Sequence, residues 1–416
     1  MDDVDIVEVK EFFKRRRRLF KNKDVLFHDY VPDKLPGRDE QIKDLAEHLR
    51  PALDGDRPGN LIIYGTPGSG KTAVTNYVLK TLNEVAVEEG IEDYIHTVYI
   101  PCPEVSSHSP LLQRMISDLR GVSVKLTGWG MDKHYEELRK TLQNLEGNAI
   151  IVLDEIDKIK NPDNLLYNLT RLKVKGAKLS IIGISNNLKY LEYLDTRVRS
   201  SLGRNRILFP PYNANELARI LTERAREGIM EGALDEEVIP YCSALAAQRD
   251  GDARLAIDLL REAVTLAEGE NVEKVTRKHV DAAFEKIELD NIEKAVASLT
   301  LHQQIVLFSI ILCREVGLKS VTTGDVYSAY LELCNLLDIS PATRQWVSET
   351  LNQFDIMGII SSTIVSRGRY GRTRKINLGA PIDSLKKVLL KGYGLNLFEN
   401  NYSLALKAVR KAMYFM

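Results

Sequence analysis

A glycine-rich segment that ends in lysine and threonine is the part of the chain with the most recognisable chemistry. Backbone N–H groups of such a loop turn inward around phosphate oxygens, and the start of a following helix adds positive potential. The lysine can reach the β- and γ-phosphates of a nucleotide, and the threonine hydroxyl can be a ligand of Mg²⁺. An apolar run precedes the segment and a helical pattern follows it, which is the context that a P-loop requires. The candidate residues for binding ATP or ADP are Gly65, Thr66, Pro67, Gly68, Ser69, Gly70, Lys71 and Thr72, and Thr72 is also a candidate metal ligand.

Two adjacent carboxylates follow a second apolar run. Residues 150–153 (IIVL) have the composition of a buried strand and lead into Asp154 and Glu155. Ligands of parallel sheets bind at the carboxyl ends of the strands, so these acids are expected at the phosphate site. We expect Asp154 to hold Mg²⁺, directly or through water, and Glu155 to polarise the attacking water. Asp157, two residues later, is expected to be a helix N-cap.

An amide and a guanidinium are further candidates for the same site. A third apolar run, 179–184, leads to Asn186, whose amide could orient the hydrolytic water; the alternative is an asparagine pair that only forms a turn. Residues 251–254 (GDAR) open a helical pattern, from which Arg254 could reach the γ-phosphate; the alternative is a surface charge. The spacing alone leaves both alternatives open.

The elements that must position these residues alternate between strands and helices up to about residue 210. Each strand-length run is apolar throughout, which indicates a parallel sheet covered by helices on both faces. After FPPY at 209–212 the strand pattern stops, and residues 215–289 have helical spacing. The predicted fold class is therefore an α/β nucleotide-binding base with a parallel sheet, followed by a helical lid.

The composition is that of an ordinary globular protein, with 44% hydrophobic and 28% charged residues, which excludes collagen-like, coiled-coil and wholly disordered chains. The longest apolar stretch, 305–313, is far shorter than the roughly 20 residues of a membrane span, so we expect no membrane association. The first residues lack the pattern of a signal peptide. The four cysteines show no metal-type spacing. A reduced protein of the cytoplasm, associated with the nucleoid, is the expectation.

Three helix-length segments follow the predicted lid, at 299–317, 323–337 and 340–358. Ser340 and Pro341 are typical of the start of a helix and are expected to open the third. Apolar residues at three- and four-residue spacing predict its core-facing side, namely Val347, Leu351, Phe354 and Met357. The residues left free to contact a DNA groove are Thr343, Arg344, Gln345 and Ser348, of which the first three are the DNA-binding candidates.

A strand-like stretch at 359–365, a turn rich in glycine and arginine, and a return at 376–378 predict a basic hairpin after these helices. Three helices followed by such a hairpin form a winged helix, whose recognition helix enters the major groove while wing arginines suit the minor groove. The alternatives are a solvated hairpin or a winged helix that contacts protein. The candidate DNA-binding residues of the hairpin are Arg367, Arg369, Tyr370, Arg372 and Arg374.

The charge distribution also favours a polyanionic partner. The net charge is only −1, but residues 364–416 carry eleven Lys and Arg against two acids. A second basic cluster lies at 14–18 near the N-terminus, for which the alternative is a disordered arm that binds nothing specifically. Basic ends on an acidic body predict DNA binding that depends strongly on salt.

Together these motifs resemble an AAA+ ATPase, and more closely the archaeal initiators of DNA replication, which are of the origin-recognition and helicase-loading (ORC/CDC6) type. The resemblance covers about residues 25–380. The phrases that carry it are FHDYVPDKLPGRDEQI (27–42), NLIIYGTPGSGKTAVT (60–75), IIVLDEID (150–157), GISNN (183–187), RVRSSLGRNRILFPPYNANEL (197–217) and DGDARLAIDLLREA (250–263).

The resemblance implies a role for further residues. It identifies 65–72 as Walker A, 150–155 as Walker B, Asn186 as sensor 1 and Arg254 as sensor 2. Tyr212 is similar to a residue near adenine, and Arg224 to one that contacts the nucleotide. The arginine offered to a neighbouring subunit's nucleotide could be Arg197, Arg199 or Arg204. Two positions depart from the family pattern: Asn187 stands where Asp is expected, and residues 105–135 match the family's DNA-contacting helix poorly.

The resemblance also implies a division of the chain and a function. The expected parts are a basic N-terminal arm (1–35), an AAA+ base (36–210), a helical lid (211–295), a winged-helix DNA-binding domain (296–380) and a basic C-terminal tail (381–416). The implied protein binds double-stranded origin DNA under the control of ATP and Mg²⁺, hydrolyses ATP slowly, and recruits or loads the MCM helicase, with other initiator paralogues as further partners. The alternatives are a transcription regulator with ATP as a structural ligand, and a processive motor such as a clamp loader.

Overall fold

The computed structural model describes residues 18–28, 30, 32, 34–126, 128–366, 372–391, 395, 398 and 401–414. The chain forms two compact units, one up to Asp281 and one from Ala282 onward. Of the predicted wing residues, Arg367, Arg369 and Tyr370 lie outside the described residues, and Arg372 is described only by its place in a strand. No helix within the described parts of the chain has the length and apolarity needed to span a membrane.

The first unit is built on a sheet of five parallel strands in the order β2-β3-β4-β1-β5. Every residue of the central strand β3 is buried, as expected for a strand with helices on both faces. The carboxyl ends of β1, β3 and β4 meet at one edge, and this edge carries the P-loop and the acidic pair. The strands are β1 (Leu61–Gly65), β2 (Ile95–Pro101), β3 (Asn148–Asp154), β4 (Lys178–Ser185) and β5 (Asn205–Phe209).

Helices cover the two faces of this sheet and bury two apolar clusters against it. One cluster packs β1 against the helix that follows the P-loop, and the other packs β3 and β4 against the helices between 108 and 202. The helices of the base are α1 (Asp39–Leu49), α2 (Lys71–Glu88), α3 (His108–Arg120), α4 (Met131–Gln143), α5 (Pro162–Thr170), α6 (Tyr190–Tyr193) and α7 (Thr196–Leu202).

The region after β5 is helical, as predicted. A capping box opens it, in which the Asn213 side chain accepts from the Glu216 N–H and the Glu216 carboxylate accepts from the Asn213 N–H. The helices are α8 (Ala214–Gly228), α9 (Val238–Gln248), α10 (Ala253–Glu270) and α11 (Arg277–Ala297), and the last of these continues into the second unit.

The N-terminal segment differs from the extended arm that its composition predicts. We call its described residues between 18 and 35 the strap, because the segment is fastened to the lid. Leu19, Phe20 and Leu26 are buried, and the N–H groups of Leu19 and Phe20 donate to the Glu268 carboxylate at 2.7 and 3.1 Å. The apolar residues between its charges were the signal for packing, since a free arm has no reason to carry them.

The second unit contains the predicted helix-turn-helix and hairpin. Its helices are α12 (Leu301–Glu315), α13 (Thr323–Leu336) and α14 (Arg344–Ile356), and its antiparallel sheet has the order β6-β8-β7, with β6 (Val321–Thr322), β7 (Ile360–Ser366) and β8 (Arg372–Leu378).

Three details of this unit differ from the sequence prediction. The third helix begins after Thr343, whose side chain is the N-cap, and not at Ser340. Met357 is not a core residue, because it follows the last turn of α14 and is 43% exposed. Residues 381–416 are not simply a tail: α15 (Ile382–Lys391) and α16 (Tyr402–Tyr414) contribute Leu385, Leu389, Ala405 and Val409 to the core of the winged helix.

Candidate nucleotide and DNA sites

The P-loop joins β1 to α2, and two of its glycines have left-handed backbone conformations. Gly68 has φ +68° and Gly70 has φ +86°, a region that residues with a Cβ rarely adopt. A Cβ on Gly68 would lie 1.7 Å from Asp252 Oδ1, and a Cβ on Gly70 would lie 2.5 Å from the Tyr212 hydroxyl. The positive φ values favour glycine at both positions, and the short distances show that two lid side chains lie against the loop.

Lys71 is buried within the loop. Its Nζ donates to the carbonyl oxygens of Gly65 at 2.9 Å and Thr66 at 2.7 Å. Burial lowers the pKa of Lys71 to about 8, while the nearby Asp154 carboxylate opposes the change. The Thr66 hydroxyl is buried and has no hydrogen-bond partner in the described parts of the chain. Burying a cation and a hydroxyl without a hydrogen-bond partner is costly unless a ligand satisfies both groups. The phosphate oxygens of a nucleotide would do so.

Asp154 lies where the sequence analysis expects a metal ligand. Its Oδ2 accepts from the Thr72 hydroxyl at 2.8 Å and from the Tyr99 hydroxyl, and its Oδ1 accepts from the Glu155 N–H at 2.8 Å. Carboxylate and hydroxyl oxygens are the ligands that Mg²⁺ prefers, so the pair of Asp154 and Thr72 fits that ion. Sequence reasoning missed Tyr99. Burial raises the pKa of the Tyr99 hydroxyl, which therefore remains a donor to the carboxylate.

Glu155 and Asn186 come together at the ends of neighbouring strands. Glu155 has a left-handed backbone with φ +50°, and strain of this kind is concentrated at functional sites. The Asp157 carboxylate accepts from the Ser185 hydroxyl at 2.8 Å and from the Asn186 N–H at 3.3 Å. The expectation that Asp157 is a helix N-cap is therefore wrong. Its carboxylate instead holds the end of β4 in place. Asn187 forms the turn, since its Oδ1 accepts from the Lys189 N–H.

A cavity of about 280 Å³ joins these residues to the lid. The predicted site residues that line it are Gly68, Ser69, Gly70, Lys71, Thr72, Asp154, Glu155, Asn186, Tyr212, Arg224 and Arg254. Gly65, Thr66 and Pro67 form the first part of the loop and do not line the cavity. The structure therefore brings together residues from the loop, two strand ends and the lid, with Lys71 and Arg254 as cations and Asp154 and Glu155 as acids.

Arg224 lines the cavity but its guanidinium is engaged by the strap. Its Nη1 donates to the Val25 carbonyl at 2.7 Å and its Nη2 to the Tyr30 carbonyl at 3.0 Å. Burial lowers the pKa of Arg224, and the Tyr30 phenol and Glu227 oppose this. In this structure Arg224 fastens the strap over the lid end of the cavity, so its expected contact with a nucleotide stays a prediction.

The strap supplies a wall of the cavity that the sequence analysis missed. The strap residues His28, Tyr30 and Leu35, with the following Pro36, line it beside the lid residues Ile220 and Ile257. This mixture of apolar and aromatic side chains suits a flat heterocycle. The four residues from 28 to 36 belong to the phrase FHDYVPDKLPGRDEQI (27–42), which contributed to the family resemblance. No rule of residue spacing links that phrase to a P-loop that begins about 30 residues later.

Among the three candidates for an arginine offered to a neighbour, Arg197 has partners within its own subunit. Its guanidinium donates to the Asp195 carboxylate at 3.1 and 3.3 Å and lies 5.0 Å from the centre of the Tyr167 ring. Arg199 is half-buried and Arg204 is exposed. This ion pair is exposed and costs little to break, so Arg197, Arg199 and Arg204 all stay candidates.

The candidate DNA-binding residues that the structure describes lie at the start of α14 and on the hairpin. The Thr343 hydroxyl accepts from the Trp346 N–H at 3.2 Å, and the Gln345 amide donates to Glu349 at 3.1 Å. Arg344 is exposed at the first position of the helix. Arg374 on β8 donates to the Asn352 side chain on α14. A side-chain hydrogen bond therefore joins the hairpin to α14, the candidate recognition helix.

Three protein-family models match successive parts of this chain, and similar proteins match nearly its whole length. The family described as "AAA ATPase domain" matches residues 34–182, "Cdc6 AAA+ ATPase-type lid domain" matches 218–285, and "CDC6, C terminal winged helix domain" matches 294–388. The "ORC1-type DNA replication protein" of Pyrococcus furiosus is 44% identical over 399 residues, which cover 94% of each chain. The "ORC1-type DNA replication protein 1" of Methanosarcina mazei is 44% identical, with 91% of this chain and 92% of that protein covered.

A solved structure has the same fold. The Aeropyrum pernix ORC1 protein, solved in complex with DNA, is 39% identical and matches with a TM-score of 0.80 over 91% of this chain and 98% of its own. The predicted fold class, a P-loop base with a parallel sheet, a helical lid and a C-terminal winged helix, is therefore confirmed, as is the family resemblance. This chain belongs to the ORC1/Cdc6 family of archaeal DNA replication initiators, AAA+ proteins that carry a winged-helix domain.

Proposed function

We propose that this protein binds double-stranded DNA at replication origins, that bound ATP or ADP controls this activity, and that it recruits or loads the MCM helicase. The observation that carries the proposal is one cavity where loop, strand ends and lid present both cations and acids, in a chain that also has a winged helix. The DNA in the Aeropyrum pernix ORC1 structure supports the choice of partner.

The residues of the cavity divide into those that bind phosphate and those that act on water. Lys71, the P-loop N–H groups and Arg254 would hold the phosphates, while Thr72 and Asp154 would hold Mg²⁺, which neutralises phosphate charge when bound. Glu155, at the end of β3, is the general base for a water molecule, and Asn186 orients that water. Hydrolysis is slow and acts as a switch between two DNA-binding states.

The winged helix supplies the contacts with DNA. Arg344, at the exposed start of α14, enters the major groove together with Thr343 and Gln345, and the hairpin residues Arg367, Arg369, Tyr370, Arg372 and Arg374 contact the minor groove. The basic side chains release counterions from the phosphates, so binding weakens steeply with salt. Other initiator paralogues and the helicase are the protein partners, in the cytoplasm at the nucleoid.

DNA footprinting across chromosome segments of the host tests the proposal, with ATP, ADP and the variant Glu155→Gln compared. We expect protection at a few repeated elements beside a replication gene, with different patterns for ATP and ADP, and an ATP pattern that persists in the variant. Protection at ordinary promoters would instead show a transcription regulator on the same scaffold. Protection identical with ATP and with ADP would contradict control by ATP.

A further inference from the structure

Arg38 is a buried cation that no role assigned so far explains. It precedes α1, is 1% exposed and is among the largest fully buried side chains of the described chain. Its hydrogen bonds go to carbonyl oxygens: Nε donates to Ser69 at 2.8 Å, Nη2 to Pro210 at 2.6 Å and Nη1 to Gly37 at 3.2 Å. In the described parts of the chain no carboxylate bonds to this guanidinium, and the nearby Glu216 only partly offsets the cost of burying it. Burying such a charge is costly, so its position calls for a functional reason.

Two of these bonds join the nucleotide loop to the entrance of the lid. Ser69 belongs to the P-loop, and Pro210 lies between the end of β5 and the first lid helix. The guanidinium also lies 3.6 Å from the centre of the Tyr212 ring, two residues further along. The planar fork of an arginine can bond to carbonyls in its plane and stack on an aromatic face at the same time, which a lysine cannot.

The contacts continue from Tyr212 to the helix that carries Arg254. The Tyr212 N–H donates to the Gly251 carbonyl at 3.3 Å. The next residue, Asp252, is the N-cap of α10 and accepts from the Arg254 N–H at 2.7 Å. Ala253 N–H donates back to the Gly68 carbonyl at 3.3 Å. A closed circuit of contacts thus runs from the P-loop through Arg38 and the lid entrance to α10, and returns to the P-loop.

We propose that Arg38 is a positioning residue that couples the P-loop to the lid, so that the nucleotide bound at the loop sets the position of α10 and of Arg254. The inference rests on the proposed control by nucleotide. A shift of the P-loop on nucleotide binding would move the Ser69 carbonyl, which bonds to Arg38, and the Gly68 carbonyl, which bonds to Ala253. Arg38 would pass this shift to Pro210 and Tyr212, because it bonds to the first and stacks on the second. Without Arg38 the nucleotide still binds, but the lid no longer distinguishes ATP from ADP.

The test measures nucleotide affinity and lid position separately. The full chain receives two surface cysteines, Val87→Cys on α2 and Lys278→Cys on α11, both at exposed positions. Spin labels react there selectively, since the four native cysteines are buried. Distances between the labels are measured with a nonhydrolysable ATP analogue and with ADP, and affinities with fluorescent forms of both nucleotides. The variants are Arg38→Gln, Arg38→Lys and Tyr212→Leu, and the control is Arg219→Gln, an exposed arginine on α8.

We expect the distance to differ between the two nucleotides in the unsubstituted chain and in Arg219→Gln. In Arg38→Gln and Tyr212→Leu the distance should be the same with both nucleotides. In Arg38→Gln each affinity should change by less than about tenfold. Tyr212 itself lines the cavity, so Tyr212→Leu is judged by the distances alone. Arg38→Lys should recover part of the difference, because an ammonium keeps one carbonyl bond but not the stacking. If Arg38→Gln kept the full difference between the two label distances, the coupling through Arg38 would be overturned. The same holds if both Arg38→Lys and Tyr212→Leu kept it. Neither result would bear on the control by nucleotide itself. Equal distances or absent binding in the unsubstituted chain would overturn the proposed control by nucleotide itself.

Discussion

At the scale of single residues, the candidate site depends on ionisable groups held in places that disfavour their charge. Lys71 is 5% exposed and bonded to carbonyls of its own loop. A phosphate that approaches Lys71 restores the stability of the charged form, so binding and protonation of this side chain are linked.

Nucleotide affinity should therefore fall as the pH rises above about 8. The pKa of Lys71 in the free protein is lowered to about 8. A bound polyphosphate raises it, so above that pH the protein must take up a proton in order to bind. The dissociation constant should increase by up to tenfold for each pH unit. Calorimetric titration with ADP at pH 7 to 9.5 measures this.

The matched control is Lys71→Met, which lacks the titrating group. It should bind ADP far more weakly and show no decline over the same pH range. An affinity of the unsubstituted chain that does not change between pH 8 and 9.5 would contradict the lowered pKa of Lys71 in the free protein.

Sequence was a good guide to those site residues that form a contiguous motif and a poor guide to those that act from a distance. The P-loop and the acids after β3 were predictable because backbone geometry restricts both the residue types and their spacing. Tyr99 was not, because a tyrosine in an apolar strand is ordinary and only the register of β2 on β3 brings its hydroxyl to Asp154. Asp157 was misjudged for the same reason, since its partners lie 28 and 29 residues away.

At the scale of elements, the strap is the part that sequence reasoning described least well. An arm was expected because a basic cluster at 14–18 precedes it and a proline interrupts it at Pro32, but burial depends on the apolar side chains that follow the cluster. Arg224, on α8, was selected for contact with a nucleotide, and the structure gives it a second task as the residue that fastens the strap.

Arg224→Ala should release the strap from the lid. The substitution removes the donors to the Val25 and Tyr30 carbonyls and the cation over the Tyr30 ring. Backbone amides of residues 19–27 should exchange at least tenfold faster with deuterium, which corresponds to about 1.4 kcal/mol of lost protection. Hydrogen exchange with peptide-level mass spectrometry measures this.

Arg219→Ala, on the exposed side of the same helix, is the control and should leave strap exchange unchanged. Equal protection of the strap in both variants would show that Glu268 and the buried apolar residues hold it without help from Arg224.

At the scale of the whole molecule, the basic residues and the acidic pair belong to different units. The acids after β3 belong to the candidate nucleotide site in the first unit, while the cationic residues of 364–416 belong to the second unit, which contains the winged helix. The core of that second unit extends beyond the hairpin, because α15 and α16 complete it with apolar residues. These two helices were not predicted, because the cationic residues of 381–416 indicated a tail and nothing local showed that apolar residues between them join this core.

Arg344→Ala should weaken DNA binding through the loss of a cation at the start of α14. If Arg344 contacts one phosphate, the slope of log affinity against log salt should become shallower by roughly 1. Contact with a guanine edge would instead cost about 1–3 kcal/mol on one sequence and leave other sequences unaffected. Fluorescence anisotropy on two DNA sequences over a range of salt separates these results.

Lys43→Ala, an exposed cation on α1 in the first unit, serves as the reference. If both substitutions changed the salt slope equally, the effect would come from net charge and not from a contact of the winged helix.

The left-handed backbone of Glu155 has a consequence for anyone who redesigns this protein. Glycine or asparagine would adopt φ +50° at lower free energy than glutamate, by about 1 kcal/mol. A sequence optimised for thermal tolerance alone would thus replace the proposed general base, gain stability and lose turnover. Consensus-guided or automated stabilisation should hold position 155 fixed, since here the most stable residue and the useful residue are different amino acids.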